Sequence, residues 1–525
     1  MTDTTTITRK LQLIPESALN NSKWNKRCYD YCINAWNNKI DYYNKKVKTQ
    51  KDKESKERLK LKITQLQDDL TNLKDNGAFT KQMVNDYTYN LVREAMASES
   101  QRKNCIIGYM MSEFNCNNRE IRSMGIKDRN NLINELLRKA YRVANSKVGD
   151  SLFDDVDIPN QLGRYGISFS QSLTKKIKDA VNQGLLEGKV SLPQYKINSP
   201  FTIEKAAMGF EHGYDDIDDL YQNIHKNNPK IYFNFGGNGN PTIARFKINV
   251  GTKGNRKELL STLLKIYDGT YQYCGSSIQL DKTGTKIILN LTIKMPIQES
   301  ILREDTIVGV DLGIAVPAVC ALNNNKFTRE YIGNGDNLIR ERTKLQNQRK
   351  RLQTALTMTK GGHGRKKKLQ ALERLKEKEK NFVNTYCHKV SSRVVNFAIK
   401  NRAKYINLED LTGYDTDDKI LRNWSYYKLQ QQITYKASRY GIEVRRVIPS
   451  YTSQVCSYCG HYEEGQRKTQ SQFVCGNPDC ITHAFKCGVN ADYNAAVNIA
   501  KSKLFYDKRI TGIQINKARE YYQIA

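Results

Sequence analysis

No stretch of this 525-residue sequence approaches the ~18 consecutive apolar residues that cross a bilayer. The start, Met1 to Lys10 (MTDTTTITRK), also lacks the apolar core of a secretory signal. Together these absences predict a cytoplasmic protein with no membrane partner. The twelve cysteines form no regular disulfide framework: seven are scattered from Cys28 to Cys387, and five crowd between Cys456 and Cys487. In a reducing compartment, clustered thiols bind metal more often than they oxidise. No internal repeat is found, and apolar residues make up only 39%. Acids are scarce beside bases, 54 against 85, for a formal net charge of +31. Such a chain collects polyanions. Its basic residues run the whole length among 31 Tyr and 15 Phe able to stack on bases, so nucleic acid is the expected partner. At ~100 to 200 residues per domain, the length allows about three to five domains.

What is present falls into three textures. Thr4 to Ile14 has β-branched residues and partial alternation, which predicts a strand. From Asn21 to about Gly188 the pattern is helical, including the mixed-charge tract Asn44 to Asn76, in which Leu59, Leu61, Ile63, Leu66 and Leu70 are the apolar minority. Cys28 and Cys32, at i and i+4 on one predicted helix, read as core packing. Between Lys189 and about Ser300 the period becomes two, clearest in Ala244 to Val250 and in Ile287, Leu289, Leu291, Ile293 and Met295. These are antiparallel strands with one wet face, joined by turns at Gly236 to Pro241 and Asp281 to Gly284. A small barrel or curled sheet follows, with the amino-terminal strand added to it.

From Thr306 the order sharpens. Short strands are predicted at Ile307 to Val310, Ala318 to Leu322 and Lys326 to Ile332. A basic helical region leads to a fourth strand at Tyr405 to Leu408. A helix leads to a fifth at Ile442 to Ile448, and Ala491 to Lys501 is a helix by its alanines. That order is RNase H-like. Within it Asp311 ends the first strand, Glu409 ends the fourth and Asp492 opens the last helix. The first and fourth strands of such a sheet are parallel neighbours, so three acids converge. Unneutralised they would repel, and hard oxygen ligands suit Mg²⁺ or Mn²⁺. Two such ions ~3.5 to 4 Å apart can activate a water, hold a phosphodiester and stabilise the departing 3′ oxygen. Each acid also has a plainer reading, as a turn residue or a helix cap. Asp305, Asp410, Asp415 and Asp417 are read as supporting acids.

Cys456-Ser-Tyr-Cys459, followed by Gly460, forms one knuckle, and Cys475 with Cys480 forms the second pair. Four thiolates on two short turns match a structural Zn²⁺ site. The second spacer is four residues rather than two, so Cys487 or His483 is an alternative to Cys480. Between Arg340 and Lys380 there are 15 Lys or Arg against 4 Glu, with Leu338, Leu345 and Leu352 at sevens and Gly361-Gly-His-Gly364 breaking the run. Arg349, Arg351, Arg365, Lys366, Lys367 and Lys368 are the candidates for tracking a phosphate backbone.

The motifs GVDLG, INLEDL, CSYCGH and NADYNAA, in that order, resemble the RuvC and target-nucleic-acid-binding parts of the TnpB-like nucleases, most similarly the miniature type V-F CRISPR effectors. The stretch GHGRKKK at Gly362 to Lys368 also resembles that family. The resemblance implies a multidomain α+β chain: a wedge strand over 1–20, a helical recognition domain over 21–188 and a wedge β-barrel over 189–300. A RuvC nuclease domain with a basic helical insertion would follow over 301–455. A zinc-ribbon target-nucleic-acid-binding domain over 456–487 and the RuvC carboxyl-terminal helix and tail over 488–525 complete it. It makes Asp311, Glu409 and Asp492 the catalytic set and places Arg467, in Gly465-Gln-Arg-Lys468, where some relatives carry a catalytic arginine. It also implies a guide RNA, a target DNA chosen by base pairing beside a short flanking motif, a homodimer sharing one guide, and target-triggered cutting of single-stranded DNA. Three other readings remain open at this point: the transposon-encoded TnpB version, an RNA-guided roadblock that does not cut, and a basic zinc-containing RNA-binding protein without a guide.

Overall fold

The computed structural model describes residues 4–148, 173–236, 241–252, 256–297, 301–313, 316–409, 426–469, 471–484, 488–505 and 514–523. They divide into two units: Thr6–Met295, and Pro296–Ala525 with the first five residues. Asp410, Asp415, Asp417, Cys487 and most of the Gly236 to Pro241 turn lie outside the described residues. Among the described residues no helix is long and apolar enough to cross a membrane.

In the first unit, β1 (Thr4–Glu16) buries Ile7, Leu11 and Leu13 on one face, as the period of two requires. Helices Ser22–Thr49, Lys53–Asn76 and Lys81–Cys116 follow, each started by a side chain that accepts from a first-turn amide: Asn21 from Trp24, Asp52 from Ser55, Thr80 from Met83. The mixed-charge tract is the second of these helices. Ile63, Leu66, Leu70 and Leu73 form its buried stripe, while Leu61 stays 71% exposed. Cys28 and Cys32 are buried beside Trp24 and Trp36, with their sulfurs 4.0 Å apart.

The core joining these helices also contains the sheet: β2 (Phe201–Ile203), β3 (Met208–His212), β4 (Ile231–Phe235), β5 (Ala244–Asn249), β6 (Gln272–Leu280) and β7 (Ile287–Pro296). The order is β2-β6-β7-β1-β5-β4-β3, so the amino-terminal strand sits in the middle, with Leu13 opposite Ile248. No backbone pairing joins the edges β2 and β3 among the described residues. Side chains meet instead: the rings of Phe210 and Tyr273 lie 5.1 Å apart, and the Tyr273 hydroxyl donates to the Met208 carbonyl. A separate core, including Ile106, Met110, Phe114, Leu137 and Ile177, gathers the end of helix Lys81–Cys116, helix Ile126–Val148 and residues 173–187. Helix Lys81–Cys116 therefore serves two cores, and the helical segment is not packed on itself alone.

The second unit holds β8 (Arg303–Asp311), β9 (Ala318–Leu322), β10 (Arg329–Ile332), β11 (Ala403–Glu409) and β12 (Glu443–Val447) in the order β10-β9-β8-β11-β12. The first three are antiparallel; β8, β11 and β12 are parallel. This is the element order expected from the sequence, with the third strand shorter at its start because residues 323–328 form the turn into it. One face of the sheet is covered by helices Gly362–Lys400 and Tyr426–Ala437, through Val390, Val394, Leu429 and Ile433. Against the other face lies helix Ala491–Lys501, whose Tyr493, Ala496 and Val497 pack on Val319 and Ala321. The basic region is a helical pair, Gly335–Thr357 and Gly362–Lys400, burying Leu338, Leu345 and Leu356. A two-stranded ribbon, β13 (Gln472–Phe473) with β14 (Val489–Asn490), accompanies the cysteines.

Candidate functional site

Asp311 and Glu409 are the last residues of β8 and β11. These strands run parallel with Leu408 opposite Val310, so one step further both acids emerge at the same carboxyl-terminal edge. Asp492 arrives from the other direction, in the first turn of helix Ala491–Lys501. That helix approaches β8 so closely that a Cβ on Gly309 would stand 2.0 Å from the Ala496 carbonyl oxygen and 2.3 Å from the Ala500 amide nitrogen. The first glycine of GVDLG is therefore the residue that lets helix and strand touch. Asn407, one turn of the pleat before Glu409, donates to the Ile499 carbonyl at 2.9 Å and so holds the far end of the same helix.

The helix is capped by Asn490, whose side chain accepts from the Tyr493 amide. Asp492 is thereby released from the capping role that its position allowed. It is 9% exposed, and its carboxylate lies 3.4 Å from the Arg467 guanidinium. Asp311 and Glu409 keep part of their surface open but are closely surrounded by protein. Burial, then the charges of Glu409 and Asp492, push the Asp311 carboxyl well above the ordinary range, with Arg467 opposing. Burial pushes Glu409 up to about 7 against the pull of a Thr452 hydrogen bond and Arg467. Burial also raises Asp492, again opposed by Arg467. One arginine thus faces three acids, leaving negative charge that a divalent cation would neutralise, and carboxylate oxygens suit a hard cation. The three carboxylates do not form as tight a group as the thiols below.

The thiols of Cys456, Cys459, Cys475 and Cys480 all lie within 4.8 Å of one another. Cys456 and Cys480 are 3.8 Å apart and Cys459 and Cys475 3.6 Å. Sulfurs ~2.3 Å from a central zinc in a tetrahedron sit ~3.8 Å from each other, close to the two shorter of these spacings, so the quartet suits that ion. The four-residue second spacer is accommodated by a turn at 476–480. His483 is not a member: its Nδ1 lies 2.7 Å from the Cys475 carbonyl oxygen. Burial pushes the Cys480 thiol up, but the Thr482 hydroxyl and amide and neighbouring thiols bring it down to about 7, ready to ligate. Gly460, at φ +79°, makes the left-handed turn after the first knuckle.

The basic candidates fare differently from one another. Arg351, Lys366 and Lys367 are exposed, and Arg349 lies 4.0 Å from Glu379. Arg365 donates to the carbonyls of Leu356 and Thr359 at 3.0 and 2.8 Å, and Lys368 to those of Ala355 and to the Thr359 hydroxyl. Those two side chains cap the end of the preceding helix. Residues missed in the sequence are Thr452, Asn494 and Asn498, all buried. The two asparagines stand at i and i+4 on an otherwise Ala-rich helix face, a pattern that signals polar partners across an interface.

Residues 426–499 match the family model described as "Cas12f1-like, TNB domain", and residues 292–415 match that of "Probable transposase" (OrfB_IS605). The CRISPR-associated endodeoxyribonuclease Cas12f1 of Sulfoacidibacillus thermotolerans is 33% identical over 346 residues, spanning 63% of this chain and 76% of that relative. The protein of the same description from Syntrophomonas palmitatica is 36% identical over 264 residues, covering 44% of this chain and 52% of its own length. Among solved structures, a Cas12f1–sgRNA–target DNA complex superposes with a TM-score of 0.58 at 21% identity, covering 95% of this chain and 99% of that one, which speaks for the fold. With a third of residues shared across three quarters of a relative, the chain belongs to the Cas12f1 family of miniature type V-F, TnpB-like nucleases.

Proposed function

We propose that the chain is an RNA-guided DNA endonuclease, which selects target DNA by guide-RNA pairing beside a short flanking motif and hydrolyses it at a RuvC, RNase H-like edge. What supports this reading is that Asp311 and Glu409 end neighbouring parallel strands while Asp492 opens the helix packed on them and bears on the Asp311 charge, in a member of the Cas12f1 family. In the proposed site these acids hold two Mg²⁺ ions, with Mn²⁺ as a substitute. When bound, such ions activate water and stabilise the departing 3′ oxygen, leaving 5′-phosphate and 3′-hydroxyl ends. Asp311 and Glu409 supply fixed oxygens from rigid strand ends, and Asp492 closes the set from the helix. Arg467 pairs with Asp492, and its role in this reading is to meet a phosphate once metal is bound. Zn²⁺ in the thiol quartet holds the ribbon, which serves as the target-nucleic-acid-binding element. Arg349, Arg351, Lys366 and Lys367, with the outer faces of Arg365 and Lys368, contact phosphates. A homodimer on one guide RNA and a cytoplasmic location complete the proposal, and residues 1–20 with 189–300 act as wedge and 21–188 as recognition domain.

The match to a probable-transposase family favours one second reading, a transposon-encoded TnpB-type nuclease guided by the element's own RNA; a repeat array beside the gene decides between them. The test of function is to isolate the chain with its native RNA, sequence that RNA and add matching DNA with Mg²⁺. Cleavage is expected, and it disappears in EDTA and in Asp311→Ala while RNA binding survives. An Asp311→Ala enzyme that cuts at the normal rate removes the site assignment.

A further inference from the structure

Thr452 sits at the crossing of three features of the second unit. It is 1% exposed, and its hydroxyl lies 2.5 Å from Glu409 Oε1 and 2.9 Å from the Pro449 carbonyl. A threonine hydroxyl has one proton and two nearby acceptors here, and the carboxylate oxygen is the closer. The backbone of Glu409 is held independently, since Gln430 Nε2 donates to its carbonyl at 2.7 Å. Of the side-chain oxygens, Oε1 is the one with a protein donor among the described residues.

The segment that begins at Thr452 is strapped along the helix carrying Asp492. Asn498 Nδ2 donates to the carbonyls of Thr452 and Val455 at 2.8 and 2.7 Å. Asn494 donates to the Val455 carbonyl and accepts from the Ser457 amide, both at 2.8 Å, and Lys501 Nζ donates to the Ser457 carbonyl at 2.8 Å. Within that strap stands Cys456, a member of the thiol quartet. Six residues therefore touch Glu409, the Asp492 helix and the zinc-type site in turn.

We propose that Thr452 is a positioning residue for Glu409: it ties one carboxylate oxygen and leaves the other free to coordinate, and its own place is set by the strap that the thiol quartet anchors. This rests on the nuclease reading above. Outer partners of metal-binding carboxylates fix their orientation, and losing one typically costs about 10- to 100-fold in metal affinity or activity.

The test uses the full chain loaded with its guide RNA, comparing Thr452→Val, which keeps shape without the hydroxyl, Thr452→Ser, which keeps the hydroxyl, and Glu409→Gln. Three quantities are measured: single-turnover cleavage of matching DNA, Mn²⁺ affinity by electron paramagnetic resonance without DNA, and zinc content by elemental analysis. Thr452→Val is expected to weaken Mn²⁺ binding and cleavage by about 10- to 100-fold with zinc retained, and Thr452→Ser to restore most of both. Wild-type behaviour of Thr452→Val overturns the proposal. So does a Ser variant as impaired as Val, or loss of zinc from Val, each of which assigns Thr452 to packing. Glu409→Gln separates the two levels: if it still cuts, the nuclease site is wrong; if it is inactive while Thr452→Val is normal, only the positioning role fails.

Discussion

The second unit contains two sets of candidate ligands that obey opposite rules. The thiols of Cys456, Cys459, Cys475 and Cys480 are drawn within 4.8 Å of one another on short turns with almost no core of their own. The acids Asp311, Glu409 and Asp492 hang from the ends of long, well-packed elements and are spread wider, their carboxyls pushed upward chiefly by burial. In the first set a bound ion would complete the fold, because a closed quartet leaves no position for a substrate. In the second the fold comes first and holds the acids near one another, so that in the proposed reading metal and phosphate would meet a site already made for them. Local instability accompanies the chemistry, and local closure accompanies the architecture.

Breaking the acid side should have the largest effect. Asp311→Asn is expected to reduce single-turnover cleavage by at least ~10³-fold, the kinetic equivalent of several kcal/mol of lost charge stabilisation. In EDTA the same variant should melt at a higher temperature than wild type, because it removes one of three mutually repelling carboxylates. A variant inactive but no more stable would separate function from the repulsion argued here. On the thiol side, Cys456→Ser should release zinc, measured by elemental analysis, and reduce target cutting by about tenfold or more while circular dichroism of the rest is retained. Unchanged metal content would remove the ribbon from the comparison.

Gly309→Ala joins the two sides of the argument at the helix they share. Its added methyl meets backbone atoms of Ala496 and Ala500, which cannot rotate away, so a destabilisation of about 1 to 3 kcal/mol is expected by denaturant titration, together with slower cleavage as Asp492 shifts. The smallest effect is on pH dependence. Glu409 titrates near about 7 in the fold against an ordinary value near ~4.3, so its neutral form is favoured there. The stability it contributes is fully present below the unfolded value and is lost as pH rises through the folded one. The metal-free protein should therefore lose melting temperature by a few degrees between about pH 4.5 and about pH 7. Glu409→Gln should flatten that slope, and saturating Mg²⁺ should suppress it. A slope unchanged in the variant assigns it to other groups.

The sites were legible in the sequence to different depths for physical reasons. Asp311, Glu409 and Asp492 stand at element ends, and those ends are marked by local signals: an apolar run stopping at an acid, or an alanine-rich helix opening after Asn490. The cysteines were legible because the coordination chemistry of a turn is local. Thr452 was not, since its link to Glu409 joins residues far apart in sequence and carries no periodicity. Asn407 was hidden for the same reason inside an apolar strand. The basic stretch was legible as charge but not as local bonding. Charge counting does not show that Arg365 and Lys368 also donate to the Leu356 and Ala355 carbonyls at a helix end that only the folded turn brings within reach. The central position of β1 in its sheet was anticipated only as an addition, because alternation identifies a strand but not its neighbours.

The most direct measurement is a Mn²⁺ titration of the guide-loaded chain and its Asp311→Asn variant, followed by electron paramagnetic resonance. Two ions per chain with the spin coupling of neighbours a few ångström apart, lost in the variant, is the result predicted here. Equal Mn²⁺ uptake and an identical spectrum in both would contradict a shared metal site at these three acids.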